Sequence, residues 1–292
     1  MLPLRPLGAS GLTVTALGFG AMQVGDPALS ERDAARMLHH ALDLGIALVD
    51  TARSYGLSEE RIGRHLASRR DRFLLSTKVG YGVEGVEDWT AECVRRGIDD
   101  ARRRLGTDVI DLVHLHSCDA ATLARPGLVD ALLEAAARGA VRVPAYSGDG
   151  AAASAALGSG RFGAWQVSLS LCDLAARESV EAAARAGTGV LVKRPLAGLP
   201  WREAGDGDAT HEEYRRRFAR LRPWIGEQDW PGFALRFAAF APGVASCLVG
   251  GRSPAQLEAN VRAVGRGALA AEDQSRVLAA FAAEGAGWEG RV

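Results

Sequence analysis

Eight times in succession, a short apolar run is followed by a segment with helical spacing, and few architectures accept that order. The runs lie at 16–20, 46–50, 73–78, 109–115, 141–146, 164–169, 189–193 and 245–249. Each is short and largely apolar, as a strand buried on both faces of a parallel sheet should be. Helices are expected at 30–44, 58–68, 89–105, 127–138, 151–157, 178–186, 232–241 and 254–264, with a longer insertion at 198–231. Ser30 is a good N-cap for the first, and Gly45 ends it. A hairpin over 3–14, turning at Ser10-Gly11, precedes the repeat, and a last helix at 271–283 follows it. Eight such units in 292 residues predict a closed (β/α)8 TIM barrel of the α/β class rather than a doubly wound sheet. No Gly-rich linker divides the chain, so 1–292 reads as one domain.

Lys plus Arg and Asp plus Glu number 35 each, which leaves no global field to attract nucleic acid or an anionic membrane. Phosphate recognition, where present, has to be local. Cys93, Cys118, Cys172 and Cys247 are scattered without a CxxC, which fits a reducing cytoplasm and neither a disulfide framework nor structural zinc. The first residues lack a signal-like apolar segment, and no apolar run is long enough to span a bilayer. Gly18-Phe19-Gly20 lacks the third glycine of a dinucleotide fingerprint, and no GxxxxGK occurs. A nucleotide is therefore not expected in Rossmann or P-loop fashion.

In a (β/α)8 barrel, functional groups come from the C-terminal ends of several strands. Here those ends carry Asp50, Lys78, His116, Ser147, Gln166 and the run Lys193-Arg194-Pro195-Leu196, while Tyr55 overhangs them from the second loop. A phenol is a poor acid at neutral pH unless its anion is favoured, and the ammonium of Lys78 beside Tyr55 would favour it. Asp50 can balance that lysine, and His116 can orient a substrate oxygen. The set is suited to giving a proton to an oxygen that is becoming an alkoxide. Each residue also has a plainer reading, as turn former, rim lysine or core histidine. His114 shares the strand face of His116 by period two, and the pair could bind metal. No third ligand of suitable type is evident, so no metal site is expected and His114 is read as a packed barrel residue.

The segments PLGASGLTVTALGFGAM, VDTARSYGLSEERIG, LLSTKVG, DLVHLHSCD, the Ser147-Gly148 step, WQV, KRPLAG and VGGRSPAQLEAN, in this order and spacing, resemble the aldo-keto reductases over nearly the whole chain. The resemblance implies a catalytic tetrad of Asp50, Tyr55, Lys78 and His116. It also implies NADPH extended across the barrel's C-terminal face, with hydride passing to a carbonyl carbon while Tyr55 protonates the oxygen. Gly20, Ala21, Met22 and Asp50 would line the cofactor from the first strands, and Ser147 and Gln166 would hold the nicotinamide amide. Lys193, Arg194, Pro195 and Leu196 would follow it, with Gly250, Arg252, Gln256 and Asn260 at the adenosine end. Arg252 stands just before a helix N-terminus, where guanidinium and orphan N–H groups suit a 2′-phosphate and favour NADP over NAD.

Two positions depart from the family's pattern. Gly148 stands where many members have Asn, removing a carboxamide contact unless Asp149 or water replaces it. Lys193 stands where many stack an aromatic ring on the nicotinamide, and a cation there should disfavour the positively charged oxidised ring. Trp89, Trp201 and Trp288 are candidate pocket walls, with Tyr55 and His116, around a modest aldehyde, ketone or sugar-like carbonyl. The expected assembly is a monomer or weak homo-oligomer. The alternative is a non-catalytic NADP(H)-sensing barrel that acts through a protein partner. Pro144, which removes a donor from the fifth strand, has no account at this level.

Overall fold

A computed structural model describes residues 1–202 and 209–290. A hairpin of β1 (Leu4–Pro6) and β2 (Thr13–Thr15) precedes eight strands: β3 (Leu17–Gly20), β4 (Leu48–Asp50), β5 (Leu74–Val79), β6 (Ile110–His116), β7 (Val141–Ser147), β8 (Ala164–Ser168), β9 (Gly189–Lys193) and β10 (Ser246–Val249). These eight pair in parallel, each with its neighbour, and β10 closes on β3 to complete the barrel. Around it run α1 (Glu31–Asp43), α2 (Ser58–Leu66), α3 (Ala91–Leu105), α4 (Ala120–Leu123), α5 (Leu128–Ala137) and α6 (Gly150–Gly158). They are followed by α7 (Arg177–Arg185), α8 (Ala209–Ile225), α9 (Trp230–Ala239), α10 (Pro254–Gly265) and α11 (Ala271–Glu284).

Two apolar clusters follow from the alternation of side chains along each strand. Val49, Leu75, Val113, Leu115, Trp165 and Val192 point outward and pack beneath the helices. Leu48, Leu112, Ala145, Ala164 and Leu191 point inward and meet Leu7, Leu12 and Val14 of the hairpin. The hairpin thus plugs the N-terminal mouth. Gly8 makes the plug possible, since a Cβ there would lie 2.2 Å from the Gly187 carbonyl oxygen.

Above that apolar layer the same inward parity reaches polar residues. Asp50 follows Leu48, Ser76 and Lys78 lie on β5, His114 and His116 follow Leu112, and Gln166 and Ser168 follow Ala164. The inward columns of the strands are therefore apolar only in their lower half, and the upper interior of the barrel is a polar layer.

Three points that the sequence placed differently or left without an account are plain in the structure. The helix expected from 89 starts at Ala91, because Thr90 caps it and Trp89 sits at φ +60, donating its N–H to the Gly80 carbonyl. The expected insertion at 198–231 holds α8, while its residues 203–208 lie outside the described residues. Pro144 costs β7 nothing. Its carbonyl accepts from Gly163 N, and pairing with β8 begins only at Ala145–Ala164, one residue beyond the missing donor.

Candidate active site

The loop that carries Tyr55 is clamped from several sides. Gly25 lies so close beneath it that a Cβ would stand 1.6 Å from the Tyr55 carbonyl oxygen, and Leu57 N donates to Gly25 O at 2.9 Å. Ser58 Oγ donates to Ala21 O, and Thr51 Oγ1 donates to Ser58 Oγ. Arg61 is buried and binds the carbonyls of Val24, Asp26 and Leu29, tying the first loop to α2.

Beneath Tyr55 sits a buried charge pair. Lys78 Nζ is 2.6 Å from Asp50 Oδ2 and 2.8 Å from the Thr51 carbonyl, and it lies 4.8 Å from the centre of the Tyr55 ring. Burial works against the Lys78 charge, but the Asp50 carboxylate and the Tyr55 oxygen outweigh it and hold the ammonium above its ordinary range. The other oxygen of Asp50 accepts from Ser76 Oγ at 2.7 Å and from Gln166 Nε2 at 3.0 Å. Gln166 Oε1 in turn accepts from Ser147 Oγ at 3.0 Å. One carboxylate thus joins groups from four strands.

His116 completes the set, its ring edge-on to Tyr55 with centroids 6.2 Å apart. Burial, assisted by the Lys78 charge, pushes it down to about 3, so its imidazole is neutral at physiological pH. His114 lies one layer deeper, with Nε2 3.1 Å from Ser76 Oγ. Ser76 gives its only hydrogen to Asp50, so His114 must donate from Nε2, and its ring braces the carboxylate from below. His114 is the packed barrel residue the sequence predicts, and it also supports Asp50 through Ser76. Among the described residues no cluster of three or more His, Cys, Asp or Glu is arranged to hold a metal ion.

The positions expected to hold a nucleotide lie along the same rim. Gly20 pairs with Asp50 across β3–β4, Ala21 N donates to Asp50 O, and Met22 is exposed beside them. Lys193 is followed by Arg194 at φ +55, with Pro195 and Leu196 in the turn beyond. At Gly250 a Cβ would lie 2.1 Å from Gln23 Oε1, a buried oxygen without a partner among the described residues. Arg252 is exposed, its backbone N–H is bound by Gln256 Oε1, Ser253 caps α10, and Asn260 is buried on that helix. Glycine floors, an exposed guanidinium and a capped helix N-terminus together fit an extended phosphate-bearing dinucleotide.

Both departures are settled by neighbours. A Cβ on Gly148 would stand 2.5 Å from the Tyr146 hydroxyl, which donates to the Cys118 carbonyl, so a side chain here collides with β7. Asp149 is not free to replace the missing amide. It accepts from Ser168 N at 2.7 Å and pairs with Lys193 Nζ at 2.9 Å. The lone cation expected at Lys193 is half of a neutral pair.

Of the three candidate tryptophans, Trp89 lies 5.5 Å from Tyr81, whose ring stacks on His116. Trp201 packs edge-on against Phe218 of α8, and Trp288 packs on Phe281 and Arg217. The described contacts of these two belong to the shell rather than to the tetrad. Tyr81 itself escaped the sequence reading because it follows β5 in a loop, where strand parity has no say. The Gly80-Tyr81-Gly82 run after the site lysine was its one signal.

A model of the aldo/keto reductase family matches residues 16–280. D-threo-aldose 1-dehydrogenase of Pseudomonas sp is 31% identical over 301 residues, covering 86% of this chain and 90% of the relative. L-galactose dehydrogenase of Arabidopsis thaliana is 38% identical over 129 residues, which span 42% of this chain and only 40% of that protein. Among solved structures, an aldo-keto reductase from Bacillus halodurans in its holo form superposes with a TM-score of 0.83 at 29% identity, over 96% of each chain. No helix among the described residues is long and apolar enough to cross a membrane.

Proposed function

The chain belongs to the aldo/keto reductase family of oxidoreductases, and from that premise we propose that it reduces an aldehyde or ketone with NADPH, through Asp50, Tyr55, Lys78 and His116. The observation that carries this reading is the Lys78–Asp50 pair buried under the Tyr55 ring.

The bound nicotinamide supplies the hydride. Tyr55 gives its proton to the substrate oxygen, and the Lys78 ammonium stabilises the phenolate left behind. Asp50, held on its other oxygen by Ser76 and Gln166, keeps Lys78 charged and still. Because these dipoles are already in place, little reorganisation is needed as charge develops. His116, uncharged, donates a hydrogen bond to the same oxygen and sets its direction toward Tyr55. Gln166 keeps a second N–H, and Ser147 a free lone pair, for the nicotinamide carboxamide. Arg252 and the N-terminus of α10 favour the 2′-phosphate of NADP. Sugar-like carbonyls head the substrate classes, since two relatives are named as sugar dehydrogenases.

The test is NADPH oxidation over a panel of aldoses, aromatic aldehydes and dicarbonyls, wild type beside Tyr55→Phe. Turnover should fall by about 10²–10⁴-fold in the variant, the range for a general acid, with NADPH affinity nearly unchanged. Undiminished turnover in the variant would overturn the role given to Tyr55.

A further inference from the structure

The loop after β5 is held more firmly than a pocket rim requires. Gly80, at φ +131, lets the Trp89 ring lie where a Cβ would be, 2.2 Å from its nearest ring atom. Trp89 N donates to Gly80 O, Gly82 N to Asp88 Oδ1, and Arg53 Nε to Gly82 O at 2.6 Å. Arg53 is itself paired with Asp100. Tyr81 is the residue this bracing fixes. Its ring lies 5.4 Å from that of His116 at an interplanar angle of 25°, and its hydroxyl is 2.9 Å from His116 Nδ1 and 3.2 Å from Ser54 Oγ.

We propose that Tyr81 is a positioning residue that sets the tautomer of His116, donating to Nδ1 so that the single imidazole proton stays on Nε2, toward the substrate oxygen. The proposal rests on the reductase reading given above. A neutral imidazole has one N–H and one bare nitrogen. A phenol has one hydrogen, so Tyr81 serves either Nδ1 or Ser54. Nδ1 is the nearer partner, and the Ser54 hydroxyl can satisfy the phenol oxygen in return. The chain of donors then runs from Ser54 to Tyr81 to His116.

The opposite arrangement has a different chemical meaning. With the proton on Nδ1, given to Tyr81, the bare Nε2 would face the site as an acceptor. It would repel a carbonyl oxygen and suit only a hydroxyl. One phenolic hydrogen therefore decides whether the site receives a carbonyl as an acceptor of hydrogen bonds. A half-turn of the His116 ring about Cβ–Cγ would put Cδ2 in the place of Nδ1 and forfeit the bond to Tyr81, whose own ring is backed by Trp89.

The experiment is ¹⁵N NMR of histidine-labelled protein, which distinguishes the two tautomers from the ring nitrogen shifts, on the wild type and on Tyr81→Phe. The wild type should show His116 with Nε2 protonated, and the variant should show a mixture or the other tautomer. In the variant kcat/KM for the carbonyl should fall about 10- to 100-fold, taking the outer partners of metal-bound histidines as the guide, while NADPH affinity holds. Nδ1 protonation in the wild type overturns the proposal, and that spectrum needs no variant to fold. An unchanged tautomer in Tyr81→Phe, or a changed tautomer without kinetic loss, overturns it as well. Absence of turnover in the wild type is a separate result that defeats the reductase reading, and the wild-type spectrum is read independently of it.

Discussion

The Lys78 ammonium lies 2.6 Å from Oδ2 of Asp50, with the two side chains only 1% and 5% exposed. Removing one partner from such a pair leaves the other as an uncompensated buried charge. Asp50→Asn should therefore lower stability at neutral pH by about 3 kcal/mol or more. Urea unfolding should show it as a lower midpoint with an unchanged slope. The Lys78 charge is also favoured in the folded state relative to the unfolded chain. The stability it contributes is thus present below the ordinary lysine value of about 10.4 and is lost as pH rises through its higher folded value.

The buried histidines give the opposite window. Burial, with the Lys78 charge, holds His114 down to about 4 against an ordinary value of 6.5. The unfolded chain takes up a proton that the folded one refuses, so this stability is present above 6.5 and is lost as pH falls toward 4. At pH 5 the loss should be about 2 kcal/mol from His114 alone, and His116 adds to it with the same sign. His114→Gln, which keeps a donor for Ser76, should remove its share. Urea midpoints at neutral pH and at pH 5 for both proteins check this, and an equal acid loss in the two would refute it.

Lys193 and Asp149 form a neutral unit beside the expected nicotinamide. In the wild type the bias toward reduced cofactor expected from a lone cation should be weak. Asp149→Asn keeps an acceptor for Ser168 N but uncovers the ammonium, and should raise the ratio of NADP+ to NADPH dissociation constants about fivefold, on the order of 1 kcal/mol for charges a few ångströms apart. Fluorescence titration with each form at mildly acidic pH, which keeps the ammonium protonated despite its burial, measures the ratio.

Arg252 stands exposed ahead of the capped N-terminus of α10. Its truncation to alanine should weaken NADPH by about 10- to 100-fold more than NADH, the size of a hydrogen bond to a charged group. Equal losses for the two cofactors would remove the 2′-phosphate from the argument.

Strand parity was the part of the site most legible beforehand. Period two places Asp50, Lys78, His116 and Gln166 inside the barrel once Leu48, Leu112 and Ala164 are inside, because all belong to one alternation. Local caps were readable for the same reason of short range, as at Ser30, where the side chain accepts from Asp33 N. α8 was missed because its apolar positions are separated by runs such as Arg215-Arg216-Arg217, of which Arg217 is nonetheless buried against the Cys172 and Glu289 carbonyls.

The sequence by itself determined the eightfold alternation, the barrel it closes into and the inward column of each strand, since these follow from steric rules acting over a few residues. Only the tertiary structure decided which inward groups meet. That Lys193 is neutralised by Asp149, that Gly148 is required by the Tyr146 hydroxyl, that His114 braces Asp50 through Ser76 and that Tyr81 faces Nδ1 of His116 all depend on groups brought together across strands and by left-handed turns such as Gly80 and Arg194. Their pairing is made between residues far apart in the sequence, and no local propensity encodes it.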